Sequence, residues 1–147
     1  MDTSQNFSTH ADDAFTAVAA RLVEDSRRPG TLARYFGERL IRFENAVYGF
    51  MRQFASEYRG GFWQFYELSN GGFYVAPEAG SFRFAVETNG YEGMLSADAA
   101  GITVCLFAYS HLSFQDARDD LYAHHFHRLR EYAAEHPEAG QIFAAID

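Results

Sequence analysis

The sequence contains no lysine, so all of its side-chain positive charge at neutral pH comes from arginine. Twelve arginines stand against twenty acidic residues, which leaves a net charge of −8. Because nucleic-acid binding is driven by concentrated positive charge, this balance argues against a direct nucleic-acid binder. The negative charge favours solubility and suits a basic partner.

Cysteine and long apolar runs are also scarce. Cys105 is the only cysteine, which excludes an internal disulfide framework. The N-terminal residues carry neither the basic nor the apolar region of a signal peptide. The longest strongly apolar run, residues 102–109, is far below the roughly 20 residues that span a bilayer. We therefore expect a cytoplasmic protein with no membrane partner.

Aromatic residues, in contrast, are abundant and make up 17% of the chain. Apolar residues reach 48%, which is too much core-forming material for a disordered protein. A chain of 147 residues fits one domain. We predict a single domain over residues 1–147, in which residues 1–11 are flexible.

Helical spacing of apolar residues predicts three helices in the first part of the chain. The first runs from Asp12 to about Asp25, with Phe15, Val18 and Leu22 on its apolar side. A short turn of helix over residues 32–36 follows. The clearest helix covers residues 38–58, where apolar residues recur every three or four positions on one face. These are Leu40, Phe43, Val47, Phe50, Phe54 and Tyr58.

The middle of the chain predicts strands over residues 62–68, 73–76, 82–87 and 91–95. Asn70-Gly71 and Asn89-Gly90 are hairpin signals, because both residue types tolerate positive φ. An antiparallel meander follows from this pattern.

Serine and proline mark the helices of the last third. Ser96 is predicted to cap a helix from Ala97 to about Leu112, and Ser113 a second one to about Glu135. Pro137 is predicted to open a short terminal helix. The order predicts an α+β fold, with a small antiparallel β-meander of about 3–4 strands packed with helices from both the N- and C-terminal halves.

Histidines offer the main alternative for chemistry. His124 and His127 can share a helix face with Asp120, and His111 and His125 lie nearby in sequence. Zinc accepts such ligands, but the paired Cys and His patterns and the HExxH core of strong zinc motifs are missing. Histidines at the solvent boundary of a helix are the more ordinary interpretation. A metal- or small-ligand-binding protein or enzyme using His111, His124, His125 and His127 stays open as the alternative.

Other catalytic patterns are weak. Cys105 lies in the most apolar run, which favours a buried and inert thiol. Neither a GxSxG elbow nor a phosphate-binding glycine loop occurs. Trp63, Phe65 and Tyr66 could stack bases, but without a basic groove they favour the core. We predict no catalytic residue, no metal and no cofactor.

Acidic residues provide the candidate interaction site. Asp116, Asp119 and Asp120 suit the start of the predicted last long helix. Negative patches often meet positive partners, so these three and Asp147 are predicted to form a partner-binding patch.

The segment YRGGFWQFYELSNGGFYVAP, residues 58–77, resembles the signature of the ArdB/KlcA antirestriction family. Similar stretches continue over residues 96–102, 108–111, 125–133 and 136–138, so the resemblance covers about residues 27–147. Two departures stand out: the first thirty residues match no family pattern, and residues 32–37 lack the proline that members often carry before the aromatic–Gly pair.

The resemblance implies an antirestriction protein that helps mobile DNA evade host type I restriction–modification enzymes. No catalytic residue or cofactor is established for the family, so the resemblance implies protein binding rather than catalysis. The expected partner is a type I restriction–modification enzyme or an associated host protein.

Overall fold

The computed structural model describes residues 17–147, which contain five α-helices. They are α1 Thr31–Phe36, α2 Leu40–Phe54, α3 Ala97–Gln115, α4 Leu121–Ala133 and α5 Ala139–Ile146. Short 3-10 turns cover Asp25–Arg27, Gly37–Arg39 and Glu87–Asn89. Helix α3 is apolar on all sides and is buried along most of its length, because α2, α4, α5 and the strands pack around it. Within this part of the chain no helix has the length and apolarity to cross a membrane.

The strands form two small antiparallel sheets. The first has the order β1-β2-β3, with β1 Ala20–Leu22, β2 Trp63–Leu68 and β3 Phe73–Pro77. The second is the hairpin of β4 Ser81–Val86 and β5 Tyr91–Ser96. The predicted α+β class is confirmed, and all pairings are antiparallel. The strands do not form one continuous meander, because the chain turns after Pro77 through Gly80, at φ +106°, and β4 pairs with β5 instead of β3.

The N-terminal helix prediction is wrong where the structure can be compared with it. Residues 20–22 are a strand, and Arg21 lies directly across from Glu67 of β2. The spacing predicts that Leu22 faces the core, but Leu22 is exposed and Val23 is buried. Pairing with the edge of β2 thus outweighs the local helical pattern. The rest of that predicted helix, up to residue 16, and the predicted flexible residues 1–11 lie outside the described residues.

Helix α2 carries the predicted apolar face. Its six predicted residues all contact the core, and Met51 is buried with them. The helix is shorter than predicted, since a 3-10 turn precedes Leu40 and the backbone becomes extended at Ala55. Tyr58 therefore packs from the connection to β2 rather than from the helix.

The two serine caps have different outcomes. The Ser96 hydroxyl accepts a hydrogen bond from the Ala99 N–H, which confirms it as the cap of α3. Ser113 lies inside α3, where its hydroxyl donates to the Ser110 carbonyl oxygen. Serine makes such local backbone bonds inside helices as well as at their starts, and this prediction is wrong for that reason. Helix α4 begins at Leu121, after Asp120.

Candidate interaction surface

The predicted acidic residues meet arginines where α3 leads into α4. Asp116 is buried, and its carboxylate accepts hydrogen bonds from Arg118, at 2.8 and 3.0 Å, and from Arg39, at 3.2 Å. Arg39 also makes two bonds to Asp119, at 3.0 and 3.1 Å. Hydrogen bonds from Arg118 contribute most to lowering the pKa of Asp116. Hydrogen bonds from Arg39 likewise lower the pKa of Asp119. The cluster is therefore a mixed-charge network rather than a purely negative patch.

The other two predicted acids lie apart from this network. Asp120 is exposed just before α4, and its backbone carbonyl accepts from the His124 N–H. Asp147 is exposed at the end of α5. The structure thus brings Asp116 and Asp119 together and leaves Asp147 on a different element.

Exposed apolar side chains accompany the ion pairs. Phe114, on the last turn of α3, is 88% exposed, and Ile41 of α2 is 58% exposed. Ile41 lines an open groove together with Asp116 and Arg118. We call the exposed residues Ile41, Phe114, Arg118, Asp119 and Asp120 the junction surface. Phenylalanine and arginine, which this surface carries, are enriched at protein-binding surfaces.

Sequence reasoning missed two features of this surface. Arg39 and Arg118 were not linked to the acids, although Asp116 and Arg118 are only two residues apart. Phe114 is predicted in the first turn of the last long helix, because the end of α3 is predicted at about Leu112 instead of Gln115. A helix extended to Gln115 would have carried Phe114 on the same exposed side as His111.

The histidines do not converge on one site. His125 is 3% exposed, stacks on Tyr109 at 5.3 Å between ring centroids, and lies beside Tyr35 and Phe36. Burial lowers its pKa to about 4. His111 is exposed on α3, edge-on to Phe50.

His124 and His127 are exposed on α4. Among residues 17–147, no three His, Cys, Asp or Glu side chains are placed to hold a metal ion.

Cys105 lies in the core, as the sequence predicts. Its sulfur contacts the backbone N–H and carbonyl of Val75, both at 3.5 Å. Burial raises the pKa of the thiol to about 12, so it stays protonated at neutral pH. A protonated thiol without access to solvent is not a nucleophile.

A histidine–aspartate pair that the sequence analysis did not single out joins the turn between α4 and α5 to the start of α3. The Nε2 atom of His136 lies 2.8 Å from a carboxylate oxygen of Asp98, whose other oxygen accepts from the Tyr74 hydroxyl at 2.7 Å. The Nδ1 atom of His136 accepts from the backbone N–H of Glu138, so Nε2 carries the proton. Because both ring nitrogens are engaged, neither is left to act as a base. Asp98 and His136 both lie in segments that resemble the family, and this resemblance is the one feature of the sequence that could have pointed to the pair.

The aromatic strand β2 contributes to the core. Trp63 and Phe65 are buried, and the Trp63 ring N–H donates to the Tyr58 hydroxyl at 2.9 Å. Tyr66 is partly buried and stacks on Tyr74. The preference for core over base stacking is thus confirmed for Trp63 and Phe65.

The helices and the two sheets form a small α+β protein, and a solved structure with the same fold is known. The fold matches that structure with a TM-score of 0.82 and 44% sequence identity, over 90% of this chain and 96% of the other. The work on that structure states that the KlcA and ArdB proteins show a novel fold, and antirestriction activity against type I DNA restriction systems in vivo but not in vitro.

Sequence comparison places the chain more narrowly. A family model described as antirestriction protein matches residues 56–147. Two Escherichia coli proteins named antirestriction protein KlcA are 44% and 46% identical over 88% of this chain, and over 94% and 95% of their own lengths. A protein of Escherichia coli K12 named putative antirestriction protein YubI is 32% identical over 85% of this chain and 93% of its own length. The chain belongs to the antirestriction protein family.

Proposed function

We propose that this protein protects incoming DNA from type I restriction–modification enzymes of its host, and that it does so in the cytoplasm by binding another protein. The observation that carries the proposal is the match in fold and sequence to the KlcA and ArdB structure, for which that activity is stated. The match extends over nearly the full length of both chains, so the surface residues of the two proteins stand on the same backbone fold.

Binding rather than catalysis is supported by how the reactive side chains are used. The Cys105 thiol is buried and protonated, and both ring nitrogens of His136 are engaged. His125 packs among aromatic rings. In the observed arrangement these three side chains serve packing and internal hydrogen bonding, which supports binding over catalysis.

The partner is proposed to be an associated host protein in preference to the restriction enzyme alone. For the related proteins, activity is stated in vivo but not in vitro. A purified restriction reaction lacks the other components of the cell, so a requirement for one of them accounts for the difference.

The junction surface is proposed as the place of contact. Asp119 and Asp120 present carboxylates to a basic region of the partner, and Phe114 supplies apolar contact area. Asp116 is buried, so its role is to hold Arg39 and Arg118 in position. Asp147 is proposed as a second acidic contact at the end of α5.

A plating assay tests the activity. Unmodified phage is plated on a host with an active type I system, with and without expression of this protein. We expect plating efficiency to rise toward that of modified phage, and to stay unchanged in a host without the restriction system. Unchanged plating in the restricting host, at a level of protein verified by immunoblot, would remove the proposal.

Variants of the junction surface test the contact. The changes Asp120→Asn, and separately Phe114→Ser, should weaken protection while the melting temperature stays close to that of the parent. Adding Asp119→Asn to Asp120→Asn should weaken protection further, with a small loss of stability because it also removes the ion pair with Arg39. Glu135→Gln, an exposed change beyond the end of α4, is the matched control and should retain protection. If the junction variants protect as well as the control does, the contact lies elsewhere. Asp147→Asn, measured separately, tests the second acidic contact in the same way.

A further inference from the structure

One carboxylate, that of Glu67 on β2, is surrounded by donors from three different elements. Arg21 of β1 donates at 3.0 Å, and Arg27 of the first 3-10 turn donates at 3.2 and 3.4 Å. Arg21 donates to Oε1, and Arg27 donates to both oxygens. Arg34 of α1 and the Tyr35 hydroxyl, the latter at 2.8 Å, donate to Oε2. Burial opposes ionisation of Glu67, but the hydrogen bonds from Arg21, Tyr35 and Arg27 outweigh it and lower its pKa to about 2. Glu67 is therefore ionised at neutral pH.

The charges at this position do not balance. Three guanidinium groups face one carboxylate, and within residues 17–147 no second carboxylate forms an ion pair with Arg21, Arg27 or Arg34. Glu67 is nearly buried, whereas the side chains of the three arginines are 74%, 40% and 51% exposed. Each guanidinium also has more N–H donors than the one or two that it gives to Glu67. A positive surface with spare donors thus stands on a protein whose net charge is −8.

We propose that Arg21, Arg27 and Arg34 bind a carboxylate-rich segment of a partner protein, with Glu67 serving to hold the three guanidinium groups together. This surface shares no residue with the junction surface, whose charges are mixed. We call it the arginine surface, defined by these three residues.

A carboxylate fits the observations better than a phosphate backbone. The guanidinium fork can bind either group, but the three arginines already converge on a carboxylate, that of Glu67. A nucleic-acid duplex would have to approach a molecule with eight surplus negative charges, and only three arginines would oppose that repulsion. An acidic peptide is shorter and can contact the arginine surface alone.

The test is a binding titration with a fluorescein-labelled oligoglutamate peptide, followed by fluorescence anisotropy at low ionic strength. Arg21→Gln should weaken binding by about threefold, and the double change Arg21→Gln with Arg34→Gln by about tenfold, because each substitution removes one exposed positive charge of the contact and such charges contribute modestly. Added salt should weaken binding to the parent protein, and less so to the double variant. In Arg21→Gln, Glu67 keeps Arg27, Arg34 and Tyr35, so that variant should remain folded by circular dichroism.

Arg83→Gln is the matched control. Arg83 is 55% exposed and pairs with Glu92 on the β4–β5 hairpin, so the substitution changes the charge equally at another place. It should bind oligoglutamate within a factor of about two of the parent, as expected for a charge outside the contact.

Three outcomes would overturn the proposal. They are no oligoglutamate binding at low ionic strength, equal binding by the parent and the double variant, and tighter binding of a DNA duplex that is lost in the double variant. The last result would assign the surface to phosphate. Since the titration uses purified protein, its failure leaves the antirestriction proposal standing, and a negative plating assay leaves this one standing.

Discussion

Gly101 is the residue at which helix α3 comes closest to the sheet. A methyl group there would lie 2.4 Å from the Ala76 side chain and 2.5 Å from the Val75 carbonyl oxygen. Atoms do not approach that closely, and the obstacle includes backbone, so the helix would have to move away from β3.

We expect Gly101→Ala to lower the free energy of unfolding by about 2–3 kcal/mol, measured by urea denaturation, because overpacking forces the backbone to shift. Gly49→Ala is the control, since Gly49 lies within α2 and has nothing within 4 Å of the added carbon. It should raise stability by about 0.5–1 kcal/mol through the better helix propensity of alanine. Equal stability of Gly101→Ala and the parent would contradict the close packing of α3 on β3.

His125 makes stability depend on pH. Its pKa is about 4 in the folded protein against 6.5 for an unburied histidine, so the unfolded chain binds more protons between these values. The stabilisation from keeping His125 neutral is complete above pH 6.5 and is lost as the pH falls toward 4. From pH 7 to pH 5 the free energy of unfolding should decrease by about 2 kcal/mol on this account.

The measurement is urea denaturation of the parent and of His125→Phe at both pH values. The variant keeps an aromatic ring among Tyr35, Phe36 and Tyr109 but cannot be protonated, so its stability should change much less. Arg128 and His124 also contribute to the low pKa, and both remain in the variant. An identical pH dependence of the two proteins would show that other groups govern it.

At the scale of the elements, helix α5 is attached through polar side chains. The Ser96 hydroxyl and backbone N–H both donate to the Glu138 carboxylate, while Asn89 donates to the Ala145 carbonyl and Tyr91 to Gln141. These contacts join the last helix to β5 and to the start of α3. Ser96 thus caps α3 and holds α5 at the same time.

We expect Glu138→Ala to lower stability by about 1–3 kcal/mol, because it leaves the Ser96 groups without their partner. Amide hydrogen exchange should accelerate first in α5, before it does in α2 or the three-stranded sheet. Glu135→Ala, at an exposed position, should exchange like the parent. Uniform acceleration over the whole chain would mean that α5 does not open on its own.

Local signals predicted those elements whose boundaries depend on neighbouring residues. The apolar face of α2, the cap at Ser96 and the glycines at 71 and 90, with φ of +90° and +67°, follow from spacing and backbone stereochemistry. Strand β1 could not be predicted in this way, because what makes it a strand is Glu67 and its neighbours, more than forty residues away. The break between α3 and α4 is predicted a few residues too early, at Ser113, because serine is compatible with both a cap and a helix interior.

At the scale of the whole molecule, α3 is the central helix around which the other layers pack. It packs against both sheets and against α2, α4 and α5, so the loss of α3 removes the core contacts of every layer. We infer from this that the described chain folds as one cooperative unit.

Trp63 gives a way to test that inference, because it is the only tryptophan and lies buried in the three-stranded sheet. Its fluorescence reports on the sheet, and circular dichroism at the helical wavelength reports on the helices. The two urea transitions should coincide in the parent and shift together in Gly101→Ala. Separate midpoints would divide the chain into two cooperative units.

The sequence by itself determined the α+β class, the main helix faces, the burial of Cys105 and the resemblance to the antirestriction family. Each of these depends on composition, periodicity or a contiguous motif, which are properties of nearby residues. Only the tertiary structure decided that Asp116 is buried and paired with Arg39, and that Arg21, Arg27 and Arg34 meet at Glu67. Charge pairing over such separations depends on which surfaces the packed helices and strands bring together, and local pattern does not encode that.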